Sequence, residues 1–308
     1  MSKILVTGAS GFIGDNLCNL LAKRKFNFIG IDVVQNIRSK HLRSELIDCK
    51  DENALLELKN RFKPDTVIHL AARTDMLGKS LQDYEDNTLG TLNILKIFDE
   101  KKVIIASSRL VFDPHLAEPV EPYNYSPNSF YGESKVITEI YAREYGAIIV
   151  RPTSIWGPKS GAPFGSLANL IMKGLYFKAR NVDAIKTMGY VSNTSNQLIK
   201  IAAHVAPELP INLGDEHISL NYFTDELSSR LRGKKCKEVP YGALAAIAAT
   251  GSLLKILGVS LPLDIKRLEN IYNSNCYSLN LVENICGKPL YSINESLHEY
   301  VEFLKANV

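Results

Sequence analysis

Lys3-Ile4-Leu5-Val6-Thr7-Gly8-Ala9-Ser10-Gly11-Phe12-Ile13-Gly14 stands near the start of the chain, and Phe28-Ile29-Gly30-Ile31-Asp32 follows after a stretch with helical spacing. The first apolar run predicts a strand, the glycines a turn, and the residues from Phe12 on a helix. The second run predicts a parallel strand that ends on a carboxylate. One such βαβ unit sets the expectation for the rest: an α/β fold of the Rossmann type, a doubly wound parallel sheet.

Each part of this stretch answers a physical need. Gly8 allows a tight turn out of the strand, Gly11 removes a side chain that would block a pyrophosphate, and Gly14 lets the helix lie close to the sheet. The first-turn amides, around Phe12 and Ile13, then face the phosphates with the positive end of the helix dipole behind them. Asp32 stands about twenty residues further on, where a carboxylate accepts both hydroxyls of an adenine ribose. It would repel a 2′-phosphate, so NAD is expected over NADP, although Arg38 could still approach such a phosphate.

Composition narrows the remaining classes. The 308 residues carry a net charge of +3, with 45% hydrophobic and 22% charged residues, ordinary for a globular protein large enough for one large domain and a smaller one. No basic stripe interleaved with aromatics exists, so a nucleic-acid partner is not expected. The run Arg232-Gly233-Lys234-Lys235-Cys236-Lys237 reads as a solvated turn. Five cysteines at irregular spacing form neither a zinc pattern nor a disulfide framework, so no metal is expected and a reducing cytoplasm fits. The first strand leaves no room for a signal peptide, and the most apolar tract, Tyr241 to Val259, is interrupted by Thr250, Gly251, Ser252 and Lys255. It reads as a buried or partner-facing helix, with attachment to a membrane surface ranked behind that and no membrane partner expected.

Taken in order, strands are predicted at Glu45 to Ile47, Thr66 to Leu70, Val103 to Ala106, Ala147 to Val150 and Ile211 to Leu213. Helices are predicted at Glu52 to Asn60, Leu81 to Asp99, from Ser129, and at Ser166 to Tyr176, Asn193 to His204, Tyr222 to Arg232 and Asn294 to Lys305. Surface loops are expected at Gln35 to Arg43 and Asp113 to Pro127. Asp48 can cap the helix that follows it or meet a ligand, and His69, inside a strand, reads as a packed core histidine. Ser107 and Ser108 fall at the carboxyl end of a strand, the edge where ligands sit in doubly wound sheets. Tyr131 and Lys135, four apart on a helix, share one face. A phenol with a reference pKa of about 10 is a poor base at neutral pH, and a neighbouring ammonium favours its ionised form.

The segments TGASGFIG, HLAA, DNTLGTLNIL, SSRLVF, YGESK and RPTSIWGP, with the tail Pro289 to Leu304, together resemble extended short-chain dehydrogenases/reductases, the NAD-dependent nucleotide-sugar epimerase/dehydratase family. That resemblance implies a catalytic Ser108, Tyr131 and Lys135. It implies cofactor contacts from Gly8, Gly11, Phe12, Ile13, Gly14, Asp32, Asp48, Cys49, Leu70, Ala71, Ala72, Asn87, Tyr131, Lys135, Pro152 and Ser154. Substrate contacts are expected from Arg73, Thr74, Ser108, Arg109, Ser154, Trp156 and Lys186. Ser154 replaces the family's usual asparagine, and Lys186 stands near the place where many relatives present an arginine to the diphosphate.

The resemblance also orders the chemistry. Dehydratases of this kind follow the serine or threonine with an Asp-Glu pair, and here Arg109-Leu110 stand there, so elimination ranks low. Epimerisation of a nucleotide sugar by transient oxidation at carbon 4 is the leading expectation. Val111-Phe112-Asp113 resembles 4-ketosugar reductases, which keeps NAD(P)H-dependent reduction as the alternative, with an NAD-sensing protein behind it. The expected division is residues 1–155 for cofactor, with 189–214 returning to it, and 156–188 with 215–308 for substrate. A homodimer through Leu81 to Phe98 and Val136 to Tyr145 is implied.

Overall fold

A computed structural model describes residues 2–35, 44–115, 121–204, 208–256 and 263–307, with side chains described to 252 in the fourth span. Arg38, most of the loop expected at Gln35 to Arg43, residues 116–120 of the later loop and the end of the apolar tract lie outside the described residues. The chain runs through β1 (Lys3–Thr7), α1 (Phe12–Lys23), β2 (Asn27–Asp32), β3 (Ser44–Leu46), α2 (Glu52–Phe62), β4 (Thr66–His69), α3 (Glu85–Ile97), β5 (Lys102–Ala106), α4 (Phe130–Glu144) and β6 (Ile148–Pro152). It continues through β7 (Ser154–Trp156), α5 (Phe164–Met172), β8 (Phe177–Ala179), β9 (Ile185–Tyr190), α6 (Val191–Ala203), β10 (Ile211–Leu213) and β11 (Glu216–Ser219). The last elements are α7 (Leu220–Arg232), β12 (Lys237–Val239), α8 (Tyr241–Ile256), α9 (Ile265–Tyr272), α10 (Asn280–Cys286) and α11 (Ile293–Ala306).

Seven strands form one parallel sheet in the order β10-β6-β5-β4-β1-β2-β3. β1, β4, β5 and β6 read as continuous apolar runs because helices cover both faces. On one face Val6, Ile68, Ile104 and Val150 pack with Leu17 and Leu21 of α1 and Leu198 and Ile201 of α6. On the other, Leu5, Val67 and Ile105 pack with Leu55 and Leu58 of α2 and Ile94 and Leu95 of α3. The strand order reverses between β1 and β4, which opens a crevice at their carboxyl ends. α10 joins the first layer through Val282 and Cys286.

The later chain is less regular. β11-β9-β7 make a small sheet and β12-β8 a two-stranded ribbon. Sequence reading expected one strand past Pro158, and among the described residues the structure adds β8, β9, β11 and β12 there and β7 just before it; β7, β8 and β12, of three residues each, are too short for alternation to register. Two further corrections concern helix starts. The stretch expected as one helix from Leu81 begins as a 3-10 turn over Leu81–Tyr84, locked by a reciprocal Ser80–Asp83 cap. The cap of α2 is Asp51, whose Oδ1 accepts from Ala54 N at 3.0 Å, and Asp48 instead accepts from Lys50 N at 2.8 Å within the turn. α8 buries Leu244 and Ala248 against Ala179 and Leu268 and leaves the opposite face exposed.

Candidate active site

The crevice between β1 and β4 is lined by glycines held at close quarters. A Cβ on Gly14 would stand 2.0 Å from Gly8 O, and one on Gly8, whose φ is +68°, would stand 2.6 Å from Ala71 N. Only glycine permits this packing of turn, helix and the Leu70-Ala71-Ala72 segment. A Cβ on Gly11 would approach Gly8 O at 3.1 Å and otherwise enter open space. Gly11 is the N-cap of α1 without a side-chain cap, so no cap side chain takes up the first-turn amides around Phe12 and Ile13. A dinucleotide pyrophosphate fits this cradle on shape and polarity.

Asp32 closes the cradle's other end. Its Oδ2 accepts from Ser10 N at 2.8 Å and its Oδ1 from Val34 N at 3.3 Å, which orients the carboxylate and leaves lone pairs for ribose hydroxyls. Asp48 is half-buried and Cys49 buried beside it. Below, Thr7 Oγ1 accepts from Ala71 N at 3.1 Å and lies 2.7 Å from His69 Nδ1, while His69 Nε2 meets Thr91 Oγ1 at 3.1 Å. Burial, helped by the Lys135 charge, lowers His69 to about 3 and keeps it neutral, a core histidine as its apolar flanks indicate.

The reactive groups gather at the carboxyl end of β5. Ser108 Oγ accepts from Leu110 N at 3.2 Å and caps a short turn. α4 starts at Ser129, whose Oγ accepts from Gly132 N at 3.1 Å. A Cβ on Gly132 would stand 2.4 Å from Leu110 O, so glycine is what lets α4 close against the Ser108 turn. Tyr131 and Lys135 are thereby buried beside Ser108. Lys135 Nζ donates to Ala106 O at 2.8 Å, and burial lowers its ammonium to about 8 while Glu139 opposes.

Burial raises the Tyr131 phenol above its ordinary value, with Tyr84 adding to the effect; the Ser108 hydroxyl and the Arg109 charge pull it down. Sequence reading assigned that downward pull to Lys135. Here the ammonium donates to the Ala106 carbonyl, and the Ser108 hydroxyl and the Arg109 charge stand against the effect of burial. Asn87 is fully buried: Oδ1 accepts from Arg73 N at 2.7 Å, and Nδ2 donates to Arg73 O at 3.1 Å and Ser134 Oγ at 2.9 Å. It ties the exit of β4 to α4.

Beneath these groups lies a network that the sequence did not disclose. Glu139 is paired with Arg151 through Nε–Oε1 at 2.8 Å and Nη2–Oε2 at 2.6 Å. Ser107 Oγ donates to Oε1 at 2.5 Å and Tyr125 OH to Oε2 at 3.0 Å. The carboxylate is fully buried with four donors, which fixes the helix carrying Tyr131 against the end of β5.

Not every expected substrate residue points to the same place. Arg109 lies beside Tyr131, with Nη1 3.3 Å from Tyr277 OH and the guanidinium carbon 6.0 Å from that ring. Tyr277 belongs to an irregular segment without periodicity, which is why sequence reading passed over it. Arg73 is held by Asp75 at 2.9 Å and by Asp83 O at 2.8 Å, over the ring of Tyr84, which packs 6.1 Å from that of Tyr131. Thr74 is exposed, while Pro152 and Ser154 are half-buried where β6 passes into β7.

Two expectations are corrected. Trp156 is 1% exposed and packs with Tyr190, Phe223 and Tyr300, so it is a core residue and not a pocket wall. Lys186 Nζ donates to Asn270 O at 2.8 Å and to Asn273 O, so its hydrogen bonds go to backbone carbonyls and not outward to a diphosphate. Burial, and then the Arg109 charge, lower it to about 8.

Residues 4–194 match the model of the NAD dependent epimerase/dehydratase family. Over 206 residues the chain is 32% identical to the N-acetyl-alpha-D-glucosaminyl-diphospho-ditrans,octacis-undecaprenol 4-epimerase of Escherichia coli O157:H7, covering 62% of this chain and 60% of that one. Over 230 residues it is 25% identical to the GDP-6-deoxy-D-talose 4-dehydrogenase of Aggregatibacter actinomycetemcomitans, covering 68% and 74%. The chain spans about half the length of the curated relatives it matches. Its fold is similar to that of the UDP-glucose 4-epimerase of Thermus thermophilus, solved with NAD, at a TM-score of 0.71 and 20% identity over 99% of this chain and 100% of that one. At that identity the likeness speaks for the fold alone.

Proposed function

Because the chain belongs to the NAD dependent epimerase/dehydratase family, we propose that it epimerises a nucleotide sugar, by transient oxidation of a ring hydroxyl at carbon 4 and return of hydride to the other face. The observation that carries this reading is the meeting of Ser108, Tyr131 and Arg109 beyond the carboxyl end of β5, the sheet edge at which the glycine turn after β1 also stands. Bound NAD supplies a reversible two-electron acceptor. Gly8, Gly11 and the first turn of α1 hold its pyrophosphate, and Asp32 its adenine ribose. Ser108 Oγ accepts or donates to the substrate hydroxyl and fixes it for Tyr131, whose oxygen, once ionised against the burial that favours the phenol, takes the hydroxyl proton and later gives it back. Lys135, anchored on Ala106, holds positive charge near that exchange.

Arg109, beside Tyr131 and paired with no acid among the described residues, leaves a positive charge at the site that suits a substrate bringing a diphosphate. The Escherichia coli relative's name favours a second carrier, a polyprenyl diphosphate in place of the nucleotide. Leu89 and Ile140, exposed on the adjoining α3 and α4, fit a homodimer contact.

The test is incubation with NAD and a set of UDP- and GDP-sugars, following product stereochemistry and the absorbance of reduced cofactor together. An epimer without net reduced cofactor is expected, whereas stoichiometric loss of NADPH replaces epimerisation by ketosugar reduction. Tyr131→Phe should lower turnover by about 10²- to 10⁴-fold with NAD affinity within about twofold of the parent. Unchanged turnover in that variant removes Tyr131 from the chemistry.

A further inference from the structure

Two features of the later chain are not absorbed by this chemistry, and they adjoin. From Val239 to Leu263 the sequence holds one charged residue, Lys255, yet residues 230–267 carry eight lysines and arginines against two acids, a net +6 in a chain whose total is +3. α8 buries Leu244 and Ala248 and exposes Gly242, Ala243, Ala246, Ile247 and Ala249 to water, with Ile247 54% accessible. Among the described residues, no charge lies on that face. The same lobe leaves Phe177 on β8, Tyr241 at the start of α8 and Ile265 at the start of α9 exposed.

Lys234, Lys235 and Lys237 stand exposed on the segment leading into α8, and none is paired with an acid among the described residues. β12 sets Lys237 opposite Phe177 of β8. An uncharged apolar face beside a lysine cluster joins the two attractions that hold a protein surface on an anionic bilayer, buried apolar area and opposite charge. No described helix is long and apolar enough to cross one.

We propose that the lobe of β8, β12, α8 and α9 docks on an anionic lipid bilayer, with the exposed face of α8 entering the headgroup layer and Lys234, Lys235 and Lys237 meeting the lipid phosphates. The docking stands on this lobe's own exposure and charge. Its use in presenting a lipid-carried sugar diphosphate rests on the second carrier proposed above.

The test is flotation of the full chain with vesicles of phosphatidylcholine alone and of phosphatidylcholine mixed with phosphatidylglycerol. Binding to the mixed vesicles alone, weakened by salt, is expected. Lys234→Gln, Lys235→Gln and Lys237→Gln combined should lower vesicle affinity on the order of 100-fold, and Ile247→Asp by at least about tenfold. Both variants should keep the parent's NAD affinity and melting temperature, since every altered side chain is exposed. A parent that floats with neither vesicle, or variants that float as the parent does, would overturn the proposal. So would a parent dimer that Ile247→Asp converts to a monomer without any vesicle binding, which would assign the face to a second copy. Turnover is not read, so a chain that epimerises no sugar still answers the question.

Discussion

The seven-stranded sheet and the lobe of β8, β12, α8 and α9 solve the burial of apolar surface at opposite ends of a scale. The two faces of the sheet gather eighteen and fifteen buried apolar side chains, while the lobe's cluster holds four among the described residues. Strands covered by helices on both sides leave little apolar surface behind, and a glycine turn can then be held to within tenths of an ångström. A small cluster cannot cover the helix that supplies it. The comparison teaches that the chain places its chemistry where packing is over-determined and leaves its uncovered apolar surface where packing is thin.

The largest effect is expected on the rigid side. Arg151→Met leaves Glu139 fully buried without its ion partner, and a loss of about 3–5 kcal/mol in unfolding free energy is expected from urea titration. The double variant with Glu139→Leu should lose less than the single one, because the uncompensated charge is gone. A single variant as stable as the parent would mean that Ser107 and Tyr125 alone satisfy the carboxylate, and that the helix bearing Tyr131 is not fixed through this pair.

The same contrast decides what could be read from residues alone. β1, α1 and β2 were legible because their apolar spacing, glycines and terminal acid are local and sit in consecutive positions. Ser108, Tyr131 and Lys135 stand out as residues, but the pull of Arg109 on the phenol does not, since it acts through space, and its partner Tyr277 lies on a segment without a period. Lys186 was misjudged for the same reason: its carbonyl partners come from 84 and 87 residues away. Trp156 was misjudged because an aromatic after a turn gives no sign of which side of a three-residue strand is buried. The lobe's ribbon, three residues per strand, offers at most two positions on one face.

A smaller effect, on the thin side, sharpens the comparison. Leu268 is buried in the lobe's cluster beside Leu244 and Ala248, and Leu268→Ala should cost about 2–3 kcal/mol there, at the low end for such a change because a small cluster can collapse. The loss should be local. Amide exchange is expected to quicken in α8 and α9 while the amides of β1 and β4 keep their protection. Equal acceleration in both regions would show that the lobe and the sheet unfold as one unit and that the contrast is one of composition only.

The smallest effect falls at the joint between the two layouts. Asp215 lies between β10 and β11, where Oδ2 accepts from Tyr190 N at 2.7 Å and Asn193 Nδ2 at 2.9 Å, and Oδ1 is buried without a partner. Burial pushes its carboxyl up to about 6, against the two donors. A folded value above the unfolded 3.8 means that the folded chain binds the proton more tightly, so this group's contribution to stability is complete below about pH 4 and is lost as pH rises through about 6. Above that, a charged carboxylate sits in a place built for a neutral one. Asp215→Asn should therefore be more stable than the parent at pH 7.5 by about 1–3 kcal/mol, with the gap closing by about pH 4. A gap that stays constant across that range would trace the effect to altered hydrogen bonding, and Asn193, which also holds Tyr291, would then be the residue that secures the joint.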